Sequence, residues 1–78
     1  MTTETIITRT AIANTAVQAC PFRRGDARRA LYFAAISEAH HGVTETRLRT
    51  MREGAALGRL DFDFVIAALE TRGLVTVN

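Results

Sequence analysis

The chain has 78 residues, of which 47% are hydrophobic, and a formal net charge of +2. This length allows one core and no second domain, and no apolar run approaches the ~20 residues that a membrane span requires. The single cysteine, Cys20, excludes an internal disulfide. With no secretory signal at the start of the chain, we expect a cytoplasmic protein.

The N-terminal part divides into a strand-like and a helix-like segment. Residues Thr2–Thr10 are rich in β-branched side chains and predict a short strand. Residues Ala11–Ala19 lean helical, and Pro21 then disfavours helix at Cys20. We treat residues 1–25 as an N-terminal arm and residues 26–78 as a helical domain.

The first long helix is the clearest local prediction. Asp26 is a favourable N-cap residue for a helix from Ala27 to about His41, which Gly42 would end. Apolar side chains occupy most of its circumference, so we expect it to be central and buried.

A second helix is predicted from Thr44 or Glu45 to about Leu57. Glu45, Arg49 and Glu53 lie four residues apart, a spacing at which neighbouring charges pair along a helix. This pairing predicts a solvated outer face for the helix.

A third helix is predicted from an N-cap at Asp61 through Arg72, with Gly73 as its stop and Leu74 as the apolar residue that follows. Its buried stripe is predicted to comprise Phe62, Val65, Ile66 and Leu69. The final residues, 74–77, are strand-like, with the N-terminal segment or another subunit as their partner.

The end of this third helix, L-E-T-R-G-L-V at residues 69–75, resembles the winged helix-turn-helix superfamily, and the resemblance covers residues 26–77. It implies that the third helix is a recognition helix leading into the first wing strand. We therefore expect a mainly α, three-helix, winged-helix-like domain with a small β-sheet from the N- and C-terminal segments. Because the chain stops at Asn78, we expect an incomplete wing.

The outward side of the third helix departs from DNA-reading chemistry. At about 100° per residue, the side opposite the buried stripe carries Asp63, Phe64, Ala67, Glu70 and Thr71. A groove-binding helix offers Arg, Lys, Asn or Gln to bases and phosphates. This face offers none of them and suits a polypeptide surface instead.

The chain has ten arginines and no lysine, and its other basic residues are two histidines. A basic patch is predicted from Arg23, Arg24, Arg28 and Arg29, which either contact a partner or form a solvated helix start. Further backbone contacts, if the chain binds DNA, would come from Arg47, Arg49, Arg52 and Arg59.

No metal, cofactor or catalytic site is predicted. His40 and His41 point about 100° apart on a helix. Together with Cys20 they lack a further ligand at the spacing found in zinc fingers. No nucleophile, base and orienting residue can be assembled, and the glycines form no phosphate loop.

Two functions are consistent with these residues. The first is a small non-enzymatic regulator or inhibitor that binds a protein through a winged-helix-like scaffold. The second is a dimeric DNA-binding transcriptional regulator of the winged helix-turn-helix type. The acidic third helix favours the protein-binding regulator or inhibitor. The small core favours a homodimer, which would bury more apolar surface. The short length and the bias toward arginine and alanine fit a protein encoded by a phage or mobile element.

Overall fold

A computed structural model describes residues 4–12 and 19–78. Its sheet has three antiparallel strands, β1 (Ile6–Arg9), β2 (Val43–Thr44) and β3 (Val75–Val77), in the order β2-β1-β3. The predicted pairing of the N-terminal and C-terminal segments is confirmed and lies within one chain. The strand β2 was not predicted. The helical prediction for residues 11–19 falls mostly outside the described residues.

Ile7 lies at the centre of this sheet. It is paired with Val43 of β2 on one side and with Val77 of β3 on the other. Ile6 and Asn78 exchange two backbone hydrogen bonds, of 3.3 and 2.9 Å. The side chain of Ile7 is fully buried, so the N-terminal strand is part of the core.

Helix α1 (Ala27–Glu38) begins at the predicted residue. The carboxylate of Asp26 accepts a hydrogen bond from the backbone N–H of Arg28 at 2.9 Å, which confirms the predicted N-cap. The α-helix ends earlier than predicted, because residues Ala39–His41 form a 3-10 turn. Gly42 follows with a φ of 91°, a conformation that favours glycine.

The predicted second helix is two short helices, α2 (Glu45–Thr50) and α3 (Arg52–Ala55). Met51 interrupts them with an extended ψ of 156°. The hydroxyl of Thr50 donates to the carbonyl of Arg47 at 3.0 Å, a local bond that competes with helical continuation. Thr44 caps α2, its hydroxyl accepting the N–H of Arg47 at 3.1 Å.

Because of this interruption, the predicted pairing of charges among Glu45, Arg49 and Glu53 is wrong. Arg49 and Glu53 no longer share one helix, and neither they nor Glu45 form an ion pair within the described part of the chain. The guanidinium of Arg49 lies instead 5.6 Å from the ring centre of Phe62.

Helix α4 (Arg59–Thr71) begins three residues before the start predicted from an N-cap at Asp61. The N-cap residue is Gly58, without a side-chain cap bond, so the predicted capping role of Asp61 is wrong and Asp61 lies exposed in the first turn. The predicted end is confirmed. The N–H of Leu74 bonds to the carbonyl of Leu69 at 3.0 Å and that of Gly73 to Glu70 at 2.9 Å, the two bonds of a Schellman motif.

The core lies between the sheet and helices α1 and α4. Helix α1 contributes Leu31, Tyr32, Ala35 and Ile36 to it, so α1 is buried on one side and not, as predicted, around most of its circumference. The buried residues of the core are Ile7, Phe22, Leu31, Tyr32, Ala35, Ile36, Ala39, Val43, Leu48, Phe62, Val65, Ala68, Leu69, Leu74 and Val75. The protein is mainly helical with a small sheet. Across residues 4–12 and 19–78, no helix has the length and apolar content needed to cross a bilayer.

Candidate functional site

The outward side of α4 exposes two large hydrophobic side chains. Leu60 is 84% exposed and Phe64 is 55% exposed. Together with Ala67 and Thr71, which are also exposed, they follow a spacing of four, three and four residues along one side of the helix. We call these four residues the outer stripe. At a rise of about 1.5 Å per residue, the outer stripe extends over roughly 16 Å.

Carboxylates flank the outer stripe on one side. Asp63 and Glu70 are both exposed on α4. The side chain of Asp63, 51% exposed, forms an ion pair of 3.3 Å with that of Arg59, which is 64% exposed. Glu70 forms no ion pair with any described residue. The structure therefore places all five residues predicted for a partner-binding face on one exposed side of α4, and it adds Leu60 to them.

Phe64 is held in place by a small aromatic cluster. Its ring centre lies 5.9 Å from that of the buried Phe22, in an edge-on arrangement. The guanidinium carbon of Arg28 lies 4.9 Å from the Phe22 ring and 5.7 Å from the Phe64 ring. Such contacts restrict the ring, so the exposed half of Phe64 is oriented before any partner arrives.

The predicted basic patch is divided by the fold. Arg28 forms an ion pair with Asp26 at 2.7 Å, and Arg29 donates to the carbonyl of Phe22 at 3.0 Å. Hydrogen bonds from Arg28 lower the pKa of the Asp26 carboxyl, and the same contact raises the pKa of Arg28. Arg23 and Arg24 are exposed, so only half of the patch is presented fully to solvent.

The four other arginines predicted for nucleic-acid contacts are all exposed, and they are spread over three helices. Arg47 and Arg49 lie on α2, Arg52 lies on α3, and Arg59 begins α4. Arg49 is stacked on Phe62 and Arg59 is paired with Asp63. Two of the four therefore already interact with groups of the same chain.

A groove opens between α4 and the end of the sheet. It encloses a cavity of about 200 Å³. Its lining comes from both strands β1 and β3, the start of α2 and one side of α4, and comprises Thr5, Ile7, Glu45, Phe62, Asp63, Ile66, Ala67, Glu70 and Val77. We call it the sheet–helix groove. It adjoins the outer stripe, because Ala67 belongs to both.

The histidines lie on the 3-10 turn beside β1, and Cys20 lies beside Phe22 and Arg29. The Nδ1 atom of His40 lies 2.7 Å from a guanidinium nitrogen of Arg9, which ties the 3-10 turn to β1. Arg29 donates to the sulfur of Cys20 at 3.6 Å. No three His, Cys, Asp or Glu side chains in the described ranges are grouped so as to hold a metal ion.

Sequence reasoning missed two parts of this site. Leu60 lies outside the predicted helix because the predicted N-cap is Asp61, although extending the helical wheel upstream to Arg59 places Leu60 beside Ala67 and Thr71. The sheet–helix groove had no sequence signal, since Thr5 and Val77 lie at opposite ends of the chain.

Comparison with known proteins adds no relative. No family model, no curated protein and no solved structure matches this chain.

Proposed function

We propose that this chain is a small non-enzymatic regulator or inhibitor that binds a protein partner through the outward face of α4. The observation that carries the proposal is the exposure of Leu60, at 84%, and Phe64, at 55%, on the same side of one helix. Fully burying a leucine or phenylalanine side chain stabilises a complex by about 1.5–3 kcal/mol. Phe64, whose ring is already oriented by Phe22 and Arg28, offers an aromatic anchor with a large apolar area to a partner.

The shape of the outer stripe favours a helical partner segment. Ala67 and Thr71 are small, so the backbone of a partner can approach α4 closely at the C-terminal end of the stripe. The spacing of four, three and four residues is that of a seam between two packed helices. A partner helix of three or more turns would cover the whole stripe.

The charges on this face favour protein over nucleic acid. Asp63 and Glu70 flank the stripe, and carboxylates repel phosphates while offering no donor to base edges.

A winged-helix-like scaffold is part of the proposal. It is supported by the direct passage from α4 through Gly73 into β3, which is the passage that the superfamily resemblance implies for the recognition helix and the first wing strand. β1 lies beside β3 and completes the sheet. On this scaffold α4, in the place of the recognition helix, would bind a polypeptide.

The test uses one disruptive variant and one matched control. Leu60→Arg places a charge in the outer stripe at a position that contributes almost nothing to the core, and Ser37→Arg places the same charge on the exposed side of α1. Partners captured by the wild type from its native cells would be identified, purified and titrated by calorimetry. We expect Leu60→Arg to weaken binding at least tenfold, a loss of about 1.4 kcal/mol, and Ser37→Arg to bind like the wild type.

Three results would contradict the proposal. Equal affinities for the two variants would remove the binding role of the outer stripe. Sedimentation of a wild-type dimer that Leu60→Arg dissociates would make the partner a second copy. Tight binding of random duplex DNA with a steep salt dependence, lost in Arg23→Glu with Arg24→Glu, would establish the DNA-binding alternative.

A further inference from the structure

The sheet–helix groove has an apolar floor. Ile7 and Phe62 are 0% and 2% exposed, and the half-buried Ile66 and Val77 complete the lining from α4 and β3. The cavity, about 200 Å³, exceeds the roughly 150 Å³ that holds a benzene molecule in an engineered protein core. It is therefore large enough for the body of one long side chain.

The rim of the groove is negatively charged. Glu45 at the start of α2 and Asp63 and Glu70 on α4 supply three carboxylates. Asp63 is balanced by its ion pair with Arg59, at 3.3 Å. Glu45 and Glu70 have no cation within ion-pair distance in the part of the chain that the structure describes. Two carboxylates, from two different helices, thus face the groove without a balancing charge.

We propose that the sheet–helix groove binds the side chain of an arginine that the protein partner inserts beside the outer stripe. This inference rests on the proposed function and names the partner residue that the site selects. The methylene groups of an arginine pack on apolar surface while its charged end stays near the solvent. Its guanidinium carries five N–H donors and would pair with the carboxylates of Glu45 on α2 and Glu70 on α4.

Other occupants fit these surroundings less well. A phosphate or carboxylate would be repelled by the rim, and a purely apolar side chain would cover the carboxylates without pairing them, which costs free energy. A lysine supplies the same charge, but its ammonium is compact and strongly hydrated, whereas a guanidinium is weakly hydrated and spans separated acceptors. Charge and shape together therefore favour arginine.

The test needs no partner protein. The ¹⁵N-labelled chain is titrated with N-acetyl-arginine amide and followed by two-dimensional NMR, with N-acetyl-citrulline amide as the uncharged analogue of the same shape. We expect saturable shifts at the backbone amides of Ile7, Ile66, Ala67 and Val77 with the arginine compound in the millimolar range. The citrulline compound should leave these signals in place.

A pair of charge-matched variants locates the effect. Glu45→Gln with Glu70→Gln should weaken arginine binding at least fivefold while the dispersed spectrum reports an intact fold. Glu38→Gln with Glu53→Gln removes the same charge from residues outside the groove lining and should bind like the wild type. Equal loss in both pairs would mean a non-specific charge effect and would overturn the proposal.

Other results of the titrations would overturn either the choice of arginine or the groove as a binding site. Equal affinity for N-acetyl-lysine amide would overturn the assignment to arginine, and no saturable shift at tens of millimolar would overturn the groove as a binding site. If titration fails while partner binding still depends on Leu60, only this inference is lost. If arginine binds the groove while Leu60→Arg leaves partner binding unchanged, only the proposed function is lost.

Discussion

Replacing Gly54 with alanine tests the packing of α3 against α2. Gly54 is buried, and a Cβ atom at this position would lie 1.8 Å from the carbonyl oxygen of Leu48 and 2.8 Å from its carbonyl carbon. Cβ atoms essentially never come closer than 3.0 Å to another atom. Because the obstacle is backbone, α3 would have to move away from α2 by more than about 1 Å in a close-packed interior.

Two opposing effects set the magnitude of this change. Alanine is favoured over glycine within a helix by about 1 kcal/mol, which alone would stabilise the variant. Overpacking costs about 1–3 kcal/mol and occasionally more, and a clash with backbone belongs at the upper end. We expect a net loss of roughly 2 kcal/mol in the free energy of unfolding, equivalent for a chain of this size to a decrease in Tm on the order of 10 °C.

Urea and thermal unfolding followed by circular dichroism measure this loss. The matched control is Gly58→Ala, because Gly58 has a φ of −70° and a Cβ there would meet no atom within 4 Å. Because Gly58 is the N-cap residue of α4, where alanine is less favourable than glycine, we expect the control to lower the free energy of unfolding by no more than about 1 kcal/mol, clearly less than Gly54→Ala. A Gly54→Ala variant as stable as the wild type would refute the close approach of the two helices.

Three further substitutions test the core and the charged cap. Leu31→Ala removes a fully buried side chain from α1 and should lower the free energy of unfolding in urea by about 2–5 kcal/mol; a near-neutral result would contradict the central position of α1. Asp26→Ala should lower Tm at neutral pH. Because Arg28 lowers the pKa of Asp26 in the folded state, its contribution is present above about pH 4 and is lost as the pH falls through that lowered value, so a pH-independent difference would argue against the ion pair. Burial raises the pKa of Tyr32, the single tyrosine, so its stabilisation is complete below about pH 10 and is lost as the pH rises through the folded value. Tyr32→Phe should therefore weaken the alkaline loss of stability, and ultraviolet absorbance of the wild type should detect phenolate only at higher pH than in the unfolded chain.

Local signals in the sequence determined where α1 begins and where α4 ends. Asp26 caps α1, and Gly73 with Leu74 closes α4, because a cap or a Schellman stop involves only residues within about five positions of one another. The same local geometry fixed which side of α4 faces outward, since the helical period alone separates Phe62, Val65 and Leu69 from the exposed residues. Apart from Leu60, the candidate binding face therefore follows from the order of the residues alone.

Only the tertiary structure decided the remaining features. β2 has two residues and no pattern of its own, and it exists because β1 is beside it. Beyond the interruption at Met51, the close approach of Gly54 in α3 to the Leu48 carbonyl is a contact that helix propensity does not describe. The sheet–helix groove joins Thr5, Glu45, Glu70 and Val77. Residues so far apart meet only when the whole chain packs, because pairing between distant segments is set by the shared core and not by the residues on either side.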